Sequence, residues 1–233
     1  MSHFSWLGHL LKVDHHYIHI VHAAFTAIIL TFFAVIAYLK LRNTEKALIP
    51  SRKMGVASTF EVATESILGL MEGIIGPEAK KYFPIVGALF IYIFVNNLLG
   101  VIPGFLPPTD NINTTLACGV VVFLYFNYVG IKEQGLWNYF KHFGGPVIFL
   151  FPLMFVIEFI GILVRPMSLS LRLFGNMTGD HLVLGIFSDL VPLIVPILFM
   201  ALGIFVSFIQ AFVFSLLSTI YIGLSLPHHE EHH

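Results

Sequence analysis

Two arginines, Arg165 and Arg172, stand seven residues apart in RPMSLSLRLFGNMTGDH, residues 165–181, a stretch with long, mostly apolar runs on both sides. Glu158 lies seven residues before the first, and Asn176, Asp180 and His181 follow the second. A guanidinium stays protonated at any physiological pH, so it cannot leave a dry site by neutralising. At about 100° per residue, Glu158, Arg165 and Arg172 drift by only ~20° per step around a helix, and Asn176 falls ~40° from Arg172. Gly161 and Ser168 lie near the same stripe, and Ile162, Leu163, Leu169 and Leu173 are left for packing or lipid. Glu158 and Arg165, two turns apart, can offset each other. Arg172 has no carboxylate at i±3 or i±4, so a partner has to come from elsewhere. RPMSLS and GNMTGD also contain loop formers, so an aqueous connection between two ordinary spans stays open beside the continuous helix. Under the helix reading a charge at mid-bilayer costs about 2.5–3.5 kcal/mol on insertion scales, which marks a functional site.

The chain that must position these groups is 57% hydrophobic and only 11% charged over 233 residues, with a mean hydropathy of +0.88. A soluble domain carries about 25% charged residues, so this composition cannot coat a water-facing globule. The expected fold is all-α: a polytopic membrane protein with about five transmembrane helices plus one amphipathic surface helix, the last two helices forming a long, strongly tilted hairpin. The net charge of −1 excludes nucleic-acid binding as the main business. Cys118 is the only cysteine, so no intrachain disulfide is possible.

The chain reads as one integral membrane domain, 1–233. An outer head, 1–17, precedes a first span at 18–41. A cytoplasmic loop at 43–81 follows, in which Glu61, Glu65 and Glu72 alternate with Phe60, Ile67, Leu68, Leu70 and Met71; that is the pattern of a helix lying on the membrane surface. A second span, 82–102, is interrupted by Asn96 and Asn97. The turn 103–114 is rich in Pro and Asn, and a short third span occupies 115–130. After a polar connection at 131–143, the hairpin arms are 146–188 and 190–226, ending in a cytoplasmic tail, 227–233. Seven of the twelve Lys and Arg (Lys40, Arg42, Lys46, Arg52, Lys53, Lys80, Lys81) lie in or beside the first loop. The positive-inside rule makes that loop and the 131–143 connection cytoplasmic, the 103–114 turn external and the N-terminus outside. Val191–Leu226 holds no Asp, Glu, Lys, Arg or His. As one helix it is roughly 54 Å long at ~1.5 Å per residue, against a hydrocarbon core of about 30 Å, so it must tilt or break. Pro192 and Pro196 sit only at its start, which favours a single tilted helix.

SLSLRLFGNMTGDH, followed by SFIQAFVFSLLSTIYIGLSL, resembles subunit a of the rotary ATP synthases, the stationary half of a proton-driven motor. TFEVATESI, FVNNLLGVIPG, PPTDNINTTLA, FIGILVRPMSLSLRLFGN and the His/Glu-rich end extend the resemblance over roughly residues 55–233. It implies a subunit with no active site and no cofactor, in the bacterial cytoplasmic (inner) membrane, its C-terminus cytoplasmic. The implied partners are a rotor ring of small hairpin subunits, a peripheral-stalk subunit b, the remainder of the ATP synthase and membrane lipids. Arg172 looks like the stator arginine that meets the ring's mid-membrane carboxylates, which would supply its missing partner. A nearby cation favours the ionised carboxylate, and a charge that never leaves seals the two aqueous half-channels from each other better than lysine or histidine.

Asn176, Gln210, Glu158 and Ser207 match or neighbour positions that line the half-channels or steady the arginine. Gln210, the only side-chain amide of the last helix, is expected to hydrogen-bond Arg172 across the hairpin or to form an interhelical amide clasp. His181 occupies a position where the family carries His or Glu, with Asp180, less usual there, before it; it is either a proton relay or a buried structural histidine. Members often carry a His or Glu seven residues before the glutamine, where this chain has Gly203, so the outer path leans on Asp180–His181 or on water. Asn96, Asn97, Asp110 and Asn113 match a polar patch near the outer turn, where they admit water or cap helices.

His15, His19 and His22 share a helical face at i, i+4, i+7, a spacing that can hold a metal or a haem. No family feature supports this, and hydrated interfacial histidines with no metal site are the expectation. The alternative function is a proton-coupled secondary transporter binding substrate at a midplane cluster of Glu158, Arg165, Arg172 and Asp180. Such transporters are built on internal repeats with interrupted helices in matching halves, and this chain shows neither. No HExxH or other recognisable catalytic frame supports an intramembrane enzyme.

Overall fold

The computed structural model describes residues 17–41, 56–102, 105, 107–136, 139, 151–190 and 194–226. These form six α-helices: α1 (Ile18–Leu41), α2 (Val56–Ile75), α3 (Ala79–Leu99), α4 (Ile112–Gln134), α5 (Phe151–Leu190) and α6 (Ile194–Ser225), with a 3₁₀ turn at Pro108–Asp110. The outer head up to residue 16, His15 included, the 42–55 part of the first loop, residues 137, 138 and 140–143 of the 131–143 connection, and the 227–233 tail lie outside the described residues. Five helices are long and apolar enough to cross a membrane: α1, α3, α4, α5 and α6. Helices satisfy their own backbone hydrogen bonds, which a hydrocarbon solvent demands. The all-helical polytopic fold read from composition is the fold observed.

The helix α2 is the sixth, and its two faces differ. Ile67 and Met71 are buried, whereas Glu61, Glu65 and Glu72 are exposed. It packs on α3, α6 and α1. Glu72 reaches Lys80 at 3.8 Å near the start of α3, and Lys81 bonds Glu133 at the end of α4, which places these charged helix ends together.

The core lies where α3, α4, α5 and α6 meet. Tyr82, Val86 and Ile93 of α3, Val122 and Phe126 of α4, Leu169 and Leu173 of α5, and Ala211, Phe214 and Ile222 of α6 form one buried cluster. Phe208 of α6 packs edge-on against Phe90 and Phe94 of α3, at 6.2 and 6.1 Å between ring centroids, a geometry favoured by the ring quadrupoles. The chain's outside is equally apolar: Ile28, Phe32, Leu124, Leu163, Ile186, Ile197 and Phe205 are all exposed, as lipid-facing side chains are.

Between α5 and α6 the sequence left two questions, and both resolve as helix. α5 runs unbroken for 40 residues through Pro166 and the loop formers of GNMTGD. α6 runs for 32 residues, with an apolar window from Pro196 to Ser225. That window is about 45 Å long at ~1.5 Å per residue, longer than a core of about 30 Å, an excess that tilting accommodates. The third span is 23 residues, longer at both ends than the run 115–130; Asn111 caps its start by accepting from the Asn113 backbone N–H at 2.9 Å.

Candidate functional site

Arg172 sits near the middle of α5, and the buried side of the helix explains its direction. Leu169, Leu173 and Met177 are 2, 0 and 3% exposed, and Ser170 is 1% exposed, so this side is pinned to the bundle. Arg172 is exposed. Among the described residues it has no ion pair or hydrogen bond. The neighbouring stripe carries little bulk: Gly161, Gly175 and Gly179 have open space where a Cβ would stand, and Ser168 is exposed. An unpaired cation therefore points out from the middle of a spanning helix through a gap that another helix can approach closely.

Its polar neighbours are engaged elsewhere. Asn176 donates from Nδ2 to Gln210 Oε1 at 2.5 Å, and Gln210 is 2% exposed. The expected Arg172–Gln210 bond is not formed; the amide-clasp reading is the one observed. The reason is register: Asn176, one turn along and turned ~40° from Arg172, is the side chain that meets α6. Ser207, one turn before Gln210, is fully buried, and its hydroxyl has no hydrogen-bond partner among the described residues. Glu158 and Arg165 pair across two turns at 3.6 Å, as their spacing predicts. Arg165 also lies over the Tyr221 ring of α6, 5.5 Å from its centroid, a cation–π contact.

A second polar group gathers beyond Asn176. Asn97 Oδ1 accepts from Thr109 Oγ1 at 2.7 Å, and Asp110 Oδ1 accepts from Thr178 Oγ1 at 2.6 Å. The 3₁₀ turn is thereby tied to both α3 and α5. Asn96 donates to the Tyr92 carbonyl at 2.8 Å. Asn96 and Asn97 do not interrupt α3; both are fully buried within it, with Asn96 Oδ1 and Asn97 Nδ2 unpartnered among the described residues. Asp180 and His181 line a small cavity of ≈ 30 Å³ with Gly100, Met177 and Gly203, room on the scale of a water molecule or two. The backbone of Gly100 lies so close that a Cβ there would stand 2.8 Å from His181 Nε2.

Asn113 is not brought to this group. It lines a separate crevice of ≈ 530 Å³ between α1, α3 and α4, with Tyr17, His19, Tyr92 and Thr114. Nor do the four midplane charges of the transporter reading converge. α5 carries Glu158 and Asp180 22 positions apart, about 33 Å along the axis at ~1.5 Å per residue. His22 corrects another expectation: it is 1% exposed and faces Phe105 at 6.1 Å between ring centroids, so it is buried rather than hydrated. No three His, Cys, Asp or Glu among the described residues are placed to hold a metal ion.

Sequence reading missed Thr109, Thr178, Gly100 and Tyr221. Thr178 had a signal, two residues before Asp180 in the motif that drew attention first. The other three depend on contacts between distant segments.

A family model described as ATP synthase A chain matches residues 20–223. The chain is 45% identical over 225 residues to the ATP synthase subunit a of Bdellovibrio bacteriovorus, covering 97% of this chain and 98% of that protein. It is 47% identical to the subunit a of Trichlorobacter lovleyi over 91% of each chain, and 47% identical to that of Geobacter sulfurreducens over 90% of this chain and 91% of that one. By both the family match and these full-length relatives, the chain belongs to the ATP synthase A chain (subunit a) family.

Proposed function

We propose that this chain, as one integral membrane unit, is the stationary proton-translocating subunit of an ATP synthase. It lies in the bacterial cytoplasmic membrane with its N-terminus outside and its C-terminus in the cytoplasm. It has no active site of its own. Its partners are a ring of small hairpin subunits, a peripheral-stalk subunit b and the rest of the synthase. Arg172 meets each ring carboxylate as it arrives, favours its ionised form and so takes part in releasing its proton. The driving term is about 2.3 kcal/mol per proton per 100 mV.

The observation that carries this reading is the exposure of Arg172 mid-helix with no partner among the described residues, while Glu158, Arg165 and Asn176 of its stripe are paired within the chain. A charge so placed needs a carboxylate from outside the chain. The outer half-channel runs past Asn97, Thr109, Asp110, Thr178, Asp180 and His181 toward Ser207 and Gln210. Gly203 leaves space there, and His181 fills the role of proton relay. The inner half-channel opens on the Glu158 side of Arg172. The test is copurification under mild detergent. The chain comes out with a small, apolar hairpin protein and a soluble nucleotide-hydrolysing head; isolation alone, from membranes whose synthase is otherwise intact, defeats the proposal.

A further inference from the structure

We infer that Gly119 of α4 sets how far Arg172 stands out from the bundle, and is a positioning residue for proton exchange. The inference rests on the stator reading of Arg172. At Gly119, α4 lies directly against α5. A Cβ built there would overlap Ser170 Oγ and stand 2.8 Å from the Pro166 carbonyl oxygen. The carbonyl belongs to the helix backbone and cannot swing aside. The hydroxyl is itself held, donating to that same carbonyl at 2.8 Å. Both α5 residues are buried, so the contact has no slack in solvent or lipid.

Direction makes this contact matter. Pro166 and Ser170 lie roughly 120–160° around α5 from Arg172 at ~100° per residue, nearly on the opposite face. Anything that thickens the α4 contact drives α5 along the line on which Arg172 projects. Proline lacks the N–H that would bond the Ile162 carbonyl, which makes this turn the point where α5 yields. Relieving the carbonyl contact takes about half an ångström of movement to reach ordinary van der Waals distance. Misplacing a reacting group by about 1 Å can cost about 10²-fold, so a single methyl at position 119 is expected to cost about tenfold.

The test uses the assembled synthase in inverted vesicles, with two readouts. One is ATP-driven proton pumping. The other is the pH at which a hydrophobic carbodiimide, which attacks protonated carboxyls, half-labels the rotor carboxylate. Gly119→Ala lowers pumping about tenfold and moves the labelling midpoint to lower pH, because a guanidinium pressed closer favours the ionised carboxylate. Gly119→Ala with Ser170→Gly, which removes the nearer overlap, falls between wild type and the single variant on both readouts, and it serves alone if the single variant does not assemble. Gly69→Ala, at a glycine with open space, changes neither. Wild-type pumping in Gly119→Ala, or reduced pumping with an unmoved midpoint, overturns the inference. Arg172→Ala is run in parallel: if it pumps normally the stator reading itself falls, and if it is inactive while Gly119→Ala is normal, only the role of Gly119 does.

Discussion

Asn176 on α5 and Gln210 on α6 are joined by a 2.5 Å hydrogen bond across the hairpin, which takes up the one amide of α6 and leaves Arg172 without a partner among the described residues. The two long helices are therefore registered by a neutral clasp, and the cation one turn away is kept available. An interhelical amide bond of this kind is worth about 0.6–2 kcal/mol in a membrane.

The clasp predicts coupling. Gln210→Leu lowers ATP-driven proton pumping several-fold without abolishing it, and Asn176→Ala does the same. Because each variant already breaks the bond, the double variant is little worse than either, with a coupling of roughly 0.5–2 kcal/mol in the melting of the detergent-solubilised complex. Strictly additive losses would show that the two amides act separately.

Arg165 and Arg172 are predicted to differ sharply although they share a stripe. Arg165 is satisfied within the chain by Glu158 and by the Tyr221 ring. With side chains 25 and 45% exposed, the pair contributes less than about 1 kcal/mol to stability. Arg165→Gln should assemble and retain pumping within about twofold, the scale set by such a weak pair. A loss as complete as that of an Arg172 variant would assign Arg165 a share of the central role.

The cavity beside Asp180 and His181 gives a third expectation. Gly203→Leu puts a side chain into ≈ 30 Å³ of space, and Gly100→Ala pushes His181 from its place, since the added carbon would stand 2.8 Å from Nε2. Both variants should assemble and both should slow proton uptake from the outer side, measured as ATP synthesis driven by an imposed proton gradient. Unchanged synthesis in both would remove this cavity from the outer path.

How much of this was legible beforehand follows from what each feature depends on. The five spans and the surface helix are local: each is a run of apolar residues or a periodic alternation, and the Glu158–Arg165 pair needs only helix geometry. The 165–181 segment was ambiguous because Pro166, Gly175, Asn176 and Gly179 are loop formers in water. In hydrocarbon a broken helix leaves carbonyl and N–H groups without partners, so the helix continues. The partner of Gln210 could not be read, since choosing Asn176 over Arg172 requires the relative rotation of two helices whose contacting residues are 34 positions apart. The burial of His22 under Phe105 and the tie from Thr109 to Asn97 were hidden for the same reason: each depends on how the segment after α3 folds back over the bundle.

The most direct test of the whole account is Arg172→Ala, with assembly verified by subunit content and ATP-driven proton pumping recorded in inverted vesicles. The account predicts a complex that inserts and assembles at wild-type levels and pumps no protons, because the ring carboxylates no longer meet a fixed cation in the bilayer. Wild-type coupling in that variant would contradict it.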